Sequence, residues 1–202
     1  MNLTKISHGI SWVLHPFMLP LYLMLLLLTC TAFATYPLNV KFYLLWVVVL
    51  YTMIIPVLAL GILRSMNLIS DYKIDIRRER IIPLLIGAIC YMLCAITIAK
   101  IPSVAFMRKF MVAAACSELF CLAVSLKWKI SLHLTGMGVL TGLIVLLNFV
   151  GVTTMFIPLI CVIVAAGLLA SARLYLGCHT PTQILVGFSS GFIIATIAVL
   201  LA

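Results

Sequence analysis

Three short segments hold nearly all the residues of this chain suited to polar chemistry. The first is Ser70-Asp71-Tyr72-Lys73-Ile74-Asp75-Ile76-Arg77-Arg78-Glu79-Arg80, closed by Pro83. The second is Lys129-Ile130-Ser131-Leu132-His133. The third runs from Ala172-Arg173 through Gly177-Cys178-His179-Thr180-Pro181-Thr182-Gln183 and is followed by Gly187. Arginine presents a planar fork to phosphate oxygens, and lysine a point charge. A ring of such cations stabilises a phosphoryl group in transfer. One histidine can attack phosphorus as a covalent nucleophile. A second can protonate the departing oxygen. The chain has four histidines, and His133 and His179 stand in these segments. No carboxylate pair, Gly-rich loop or metal-ligand cluster offers competing chemistry, and neither metal nor cofactor is expected.

The rest of the chain must position these segments in lipid. Of 202 residues, 66% are hydrophobic and 8% charged, with a mean hydropathy of +1.34. A soluble domain averages about 25% charged residues, so an ordinary soluble fold is excluded. Backbone polar groups in a bilayer must be satisfied within each segment, which leaves helices. The expected fold is an all-α polytopic transmembrane bundle of six to seven spans, in one integral membrane domain over 1–202. Residues 1–63 supply the first two spans and 64–202 the motif-bearing core. A multi-pass protein of the cell inner membrane is the expected location.

Apolar runs bounded by charges and prolines predict spans at 11–33, 42–63, 81–99, 103–126, 132–150, 153–172 and 181–202. Pro56 should kink the second. Ala32-Phe33-Ala34 resembles a signal cleavage site. The long preceding stretch with His8, His15 and Pro16 points instead to a retained first helix. Alternate crossings collect Lys5, Arg64, Lys73, Arg77, Arg78, Arg80, Lys127, Lys129 and Arg173 on one face, nine of the thirteen cations. The net charge of +9 therefore reads as loops meeting anionic headgroups, with some cations converging on a phosphate, and not as nucleic-acid binding. Six of the seven cysteines lie in apolar runs and act as small hydrophobes. Gly138 and Gly142, Gly187 and Gly191, and Gly167 with Ser171 have the spacing that lets helices approach closely, so the last three spans should pack together. Trp12, Trp46 and Trp128 read as interface anchors.

The motif spacing resembles the type 2 phosphatidic acid phosphatase superfamily, with its K-x6-R-P, P-S-G-H and S-R-x5-H-x3-D segments. Lys73 and Arg80 have the first spacing, Ser131 and His133 the second, and Arg173 and His179 the third. The likeness covers about 25 motif residues between 73 and 187. It implies a metal-independent phosphatase acting on a phospholipid or polyprenyl phosphate. His179 would be the nucleophile and His133 the acid, with Lys73, Arg80, Ser131 and Arg173 holding the phosphate. The chain departs from the pattern in four places. The proline after Arg80 is displaced to Pro83, Leu132 replaces a glycine, Ala172 a serine, and Gln183 the aspartate that orients the nucleophile. A Gln oxygen still orients the ring but brings no charge. Thr180-Pro181-Thr182-Gln183 is also a capping box, which explains Gln183 by itself. The departures motivate an alternative, a non-catalytic relative that binds or moves phospholipid. Glu118, alone in the fourth span, is an intramembrane acid and a functional suspect by type. His15-Pro16 bends the first helix near the site face.

Overall fold

The computed structural model describes residues 2–72, 74, 76–101, 105–149 and 154–201. Among these residues the regular structure is helical, without strands. Five helical stretches are long and apolar enough to cross a membrane: Leu38–Ser65, Arg77–Ile98, Leu132–Phe149, Phe156–Tyr175 and Pro181–Leu201. The chain is a multi-pass membrane helix bundle.

The single first helix expected over 11–33 does not form. The chain makes α1 (Leu3–Val13) and α2 (Leu19–Cys30) with a break between them. Pro16 cannot donate a hydrogen bond, and it pushes His15 out of the helical region. The Met18 N–H closes the break on the His15 carbonyl at 2.8 Å. At 12 residues, α2 rises about 18 Å, well short of a bilayer core of about 30 Å.

The kink expected at Pro56 takes a different form. Between α3 (Leu38–Val49) and α4 (Ile55–Ser65), residues Leu50–Ile54 wind as a π-helix. The ring of Pro56 crowds the carbonyl four residues back, at Thr52, and a widened turn relieves it. Thr52 is buried there, and its hydroxyl donates to the Phe17 carbonyl at 3.5 Å. The break after α1 is thus tied to the wide turn.

The remaining helices are α5 (Ile81–Ile98), α6 (Ala105–Ser125), α7 (Leu132–Phe149), α8 (Phe156–Tyr175) and α9 (Pro181–Leu201). The α5–α6 separator at Pro102 and Ser103, and residues 150–153 of the α7–α8 turn, lie outside the described residues. On α5, Leu84, Ala88, Tyr91, Cys94, Ala95 and Ile98 are buried at helical spacing. α7 is the central helix, buried along most of Leu134 to Leu147. The seven cysteines are free thiols.

The expected glycine contact joins α7 to α9. A Cβ on Gly138 would collide with the Phe188 carbonyl, and one on Gly191 with that of Thr135. On Gly187 it would lie 2.9 Å from the Ser131 carbonyl oxygen. α8 behaves otherwise. It packs on α7 and α1, while Gly167 has nothing within 4 Å of a Cβ position and Ser171 is exposed. Its small-residue pair faces outward, because the neighbours of α9 are α7 and α6.

This contact generates a prediction. Gly191→Ala should force α7 and α9 apart and cost about 1–3 kcal/mol. Gly167→Ala should be neutral or slightly stabilising. Thermal midpoints of the two purified variants in one detergent check this, and equal losses would contradict it.

Candidate active site

One cavity of about 140 Å³ gathers the ends of several helices. His15, Pro16 and Phe17 line it from the α1–α2 break, Arg80 from the start of α5, and His133 from the first turn of α7. Arg173 joins from the last turn of α8, and His179 from the loop before α9.

Arg80 ends a 3-10 turn, Arg77–Arg80, that feeds α5. It is 4% exposed. Its Nε donates to the Ile74 carbonyl at 2.9 Å and its Nη1 to the Ile130 carbonyl at 3.1 Å. Two carbonyls from different segments fix the plane of the fork. Ile74 adopts a positive φ of 47°, a strained state for a β-branched residue costing about 1–3 kcal/mol. The preceding loop is closed by other groups. Ser70 donates from its N–H and hydroxyl to Glu79 Oε2, at 2.7 and 2.9 Å. Arg64 Nη1 donates to the Ile69 and Ser70 carbonyls. Lys73 lies outside the described residues.

His133 meets α1. Its Nε2 is 3.2 Å from the Ser11 carbonyl oxygen. A carbonyl only accepts, so Nε2 carries the proton and Nδ1 is the exchangeable nitrogen. The ring of His15 stands edge-to-face on that of His133, with centroids 5.2 Å apart. The Phe17 N–H donates to His15 Nδ1 at 3.3 Å.

His179 is placed by two caps. At the end of α8, Gly177 takes a φ of +65°, which glycine adopts without strain. The Cys178 N–H then bonds the Arg173 carbonyl at 3.2 Å and the Gly177 N–H bonds that of Leu174 at 2.9 Å, a Schellman pair. The turn returns His179 to the cavity shared with Arg173. The expected capping box then starts α9. The Gln183 N–H donates to Thr180 Oγ1 at 3.4 Å, and the Thr180 N–H donates to Gln183 Oε1 at 3.2 Å. That second bond fixes which end of the Gln183 amide is oxygen. The same Oε1 lies 3.2 Å from His179 Nδ1, so Nδ1 is the donor and Nε2 keeps its lone pair.

Of the residues named from sequence, Arg80, His133, Arg173 and His179 share the cavity wall. Gln183 stands against His179 from outside that wall. Ser131 is fully buried, its N–H 3.4 Å from the Gln183 carbonyl, and its hydroxyl has no hydrogen-bond partner among the described residues. Arg173 Nε is likewise buried without such a partner. Sequence reasoning missed Tyr72, which also lines the cavity and carries no spacing signal beyond its place beside Lys73. It also missed the Ser11 carbonyl, which as a backbone group leaves no trace in residue type.

No family model, curated protein or solved structure matches this chain.

Burial, and next the positive field of Arg173, hold the His179 imidazole down at about 4, against the opposing bond to Gln183. It is therefore neutral at pH 7. The unfolded chain protonates this residue near its ordinary pKa of about 6.5. As pH falls from there toward 4, the unfolded state takes the proton first and folding stability drops. His179→Gln should flatten that part of the profile of thermal midpoint against pH. An unchanged slope would contradict the assignment.

Proposed function

We propose that this protein is a metal-independent lipid-phosphate phosphatase that works through a phosphohistidine. One observation carries the proposal: the imidazoles of His133 and His179 and the guanidiniums of Arg80 and Arg173, from three segments far apart in the chain, line a single cavity. A lipid substrate suits a site built at helix ends in a multi-pass bundle. The bundle crosses six or seven times on this reading, with α6 as the sixth crossing and short α2 as a partial seventh. Lys109 on α6 donates to the Val199 carbonyl at 3.2 Å, which ties α6 to the end of α9.

A phosphomonoester has a second pKa of about 6, so its monoanion brings a proton. His133 takes that proton at Nδ1. His179 Nε2 attacks phosphorus as the bond from phosphorus to the lipid oxygen breaks, and His133 gives the proton to that oxygen. Water then attacks the phosphohistidine, its proton passes to His133, and inorganic phosphate leaves. Arg80 and Arg173 hold the charge that spreads over the phosphoryl oxygens. Phosphatidate, phosphatidylglycerophosphate, polyprenyl pyrophosphate and lipid A phosphate share this chemistry. The alternative, a binder or mover of phospholipid, draws on the uncharged Gln183.

His179→Ala should lower phosphate release by about 10³-fold or more, and orthovanadate should inhibit the wild type as a pentacoordinate mimic. Gln183→Asp should raise turnover. A screen of lipid phosphates in mixed micelles reads all three. Binding without release by the wild type would favour the alternative, and full release by His179→Ala would refute the nucleophile.

A further inference from the structure

The phosphate chemistry leaves the one carboxyl among the described cavity residues unused. Glu118, on α6, lines the same cavity. α5 leaves room for it at Gly87, where a Cβ would collide with the carboxyl. Gly87 stands seven residues beyond Arg80 on α5, about 10 Å deeper along the helix axis. The walls at this depth are largely apolar, with Phe110, Val139 and Leu140 among them, and Tyr91 adds a phenol.

Ser117, Cys121 and Thr135 are engaged elsewhere. The Ser117 hydroxyl donates to the Ala113 carbonyl at 2.9 Å. Cys121 Sγ donates to Thr135 Oγ1 at 3.5 Å, and Thr135 donates to the Ser131 carbonyl at 3.0 Å. Glu118 Oε2 is buried and has no hydrogen-bond partner among the described residues. A buried polar atom left unsatisfied costs about 1–3 kcal/mol. An ionised carboxylate only accepts and a protonated carboxyl also donates, so an alcohol hydroxyl can pair with either form and an ester oxygen with the protonated form. A group of this kind facing a cavity inside a membrane bundle marks a contact with what fills the cavity.

We infer that Glu118 forms a second polar subsite, which takes an alcohol or ester oxygen carried by the lipid between its phosphate and its hydrocarbon tails. The inference rests on the lipid-phosphate reading of the basic end and narrows it. With the phosphate at Arg80 and Arg173, the oxygens of the lipid backbone lie on the hydrocarbon side of the phosphorus, toward the depth of Gly87. Lipid phosphates with an oxygenated backbone satisfy Glu118 there. A phosphate joined directly to a hydrocarbon chain leaves it unpaired.

The test uses the full chain in detergent with three probes: phosphatidate, lysophosphatidate and farnesyl phosphate. Dissociation constants are measured on the His179→Ala background, where turnover does not consume the ligand. Adding Glu118→Met, close to Glu in shape, should weaken both glycerol phosphates about tenfold or more and change farnesyl phosphate less than twofold. Glu118→Leu is the second apolar variant, and retained farnesyl phosphate binding reports that each variant is folded. Glu118→Gln, which keeps hydrogen-bonding capacity, should stay within about threefold for every probe. Equal losses for all three probes, or no loss for the glycerol phosphates, would overturn the subsite. Phosphate release by the wild type is read separately. If it is absent while the binding difference stands, the phosphatase reading fails and the subsite survives. If no probe binds the wild type, both fail.

Discussion

The backbone contact between α7 and α9 determines where the candidate site sits. Hydrophobic burial gives little drive between helices in lipid, so close packing must come from small residues that let main chains touch. Gly138, Gly187 and Gly191 supply that approach. His133 occupies the first turn of α7, and His179 the residue two before α9 begins. Bringing the two helices together at Gly187, beside the Ser131 carbonyl, therefore brings the two imidazoles to one cavity. The bond from the Ser131 N–H to the Gln183 carbonyl fastens the same two starts. A change that separates these backbones would move both histidines without altering either.

Electrostatics then set what the cavity can accept. Burying a guanidinium is costly unless its donors are engaged, and the Arg80 fork meets that demand through carbonyls of Ile74 and Ile130. Arg173 is less completely engaged, since its Nε is buried without a hydrogen-bond partner among the described residues. Arg173, Arg80 and Lys129 each oppose a further positive charge on His179. The imidazole is consequently kept neutral at pH 7. On the proposed reading, the positive field that would hold a phosphate also keeps its attacker unprotonated.

Much of this was legible in the residues. The glycine spacings at 138/142 and 187/191 foretold the α7–α9 contact, because small residues one turn apart have few other uses in an apolar helix. The capping box at Thr180–Gln183 foretold the start of α9 and formed as read. The histidine and arginine spacing picked out side chains that the fold gathers in one cavity. Other features were not legible for physical reasons. Hydropathy joined 11–33 into one span because it counts apolar residues and is blind to the backbone cost of His15-Pro16. The pair Gly167 and Ser171 has the same spacing as the others, yet faces outward, because spacing says that a helix can be approached and not by what. The acceptor for His133 is a main-chain carbonyl of α1, and pattern reading does not register main-chain groups.

Gln183 shows how one side chain can hold two roles that sequence reading sets against each other. Its Oε1 accepts from the Thr180 N–H and lies within hydrogen-bond distance of His179 Nδ1. The cap and the histidine contact are one arrangement, since the bond to Thr180 fixes the amide oxygen toward the ring. An aspartate is one methylene shorter and carries a charge that would favour the imidazolium. The neutral amide keeps the orientation and gives up that stabilisation. On the phosphatase reading, Gln183 preserves the tautomer with Nε2 unprotonated, while the positive charge that would build on the ring during attack goes without a facing carboxylate at this position. Orientation and charge, supplied together by a carboxylate, are separable here, and the chain retains the first.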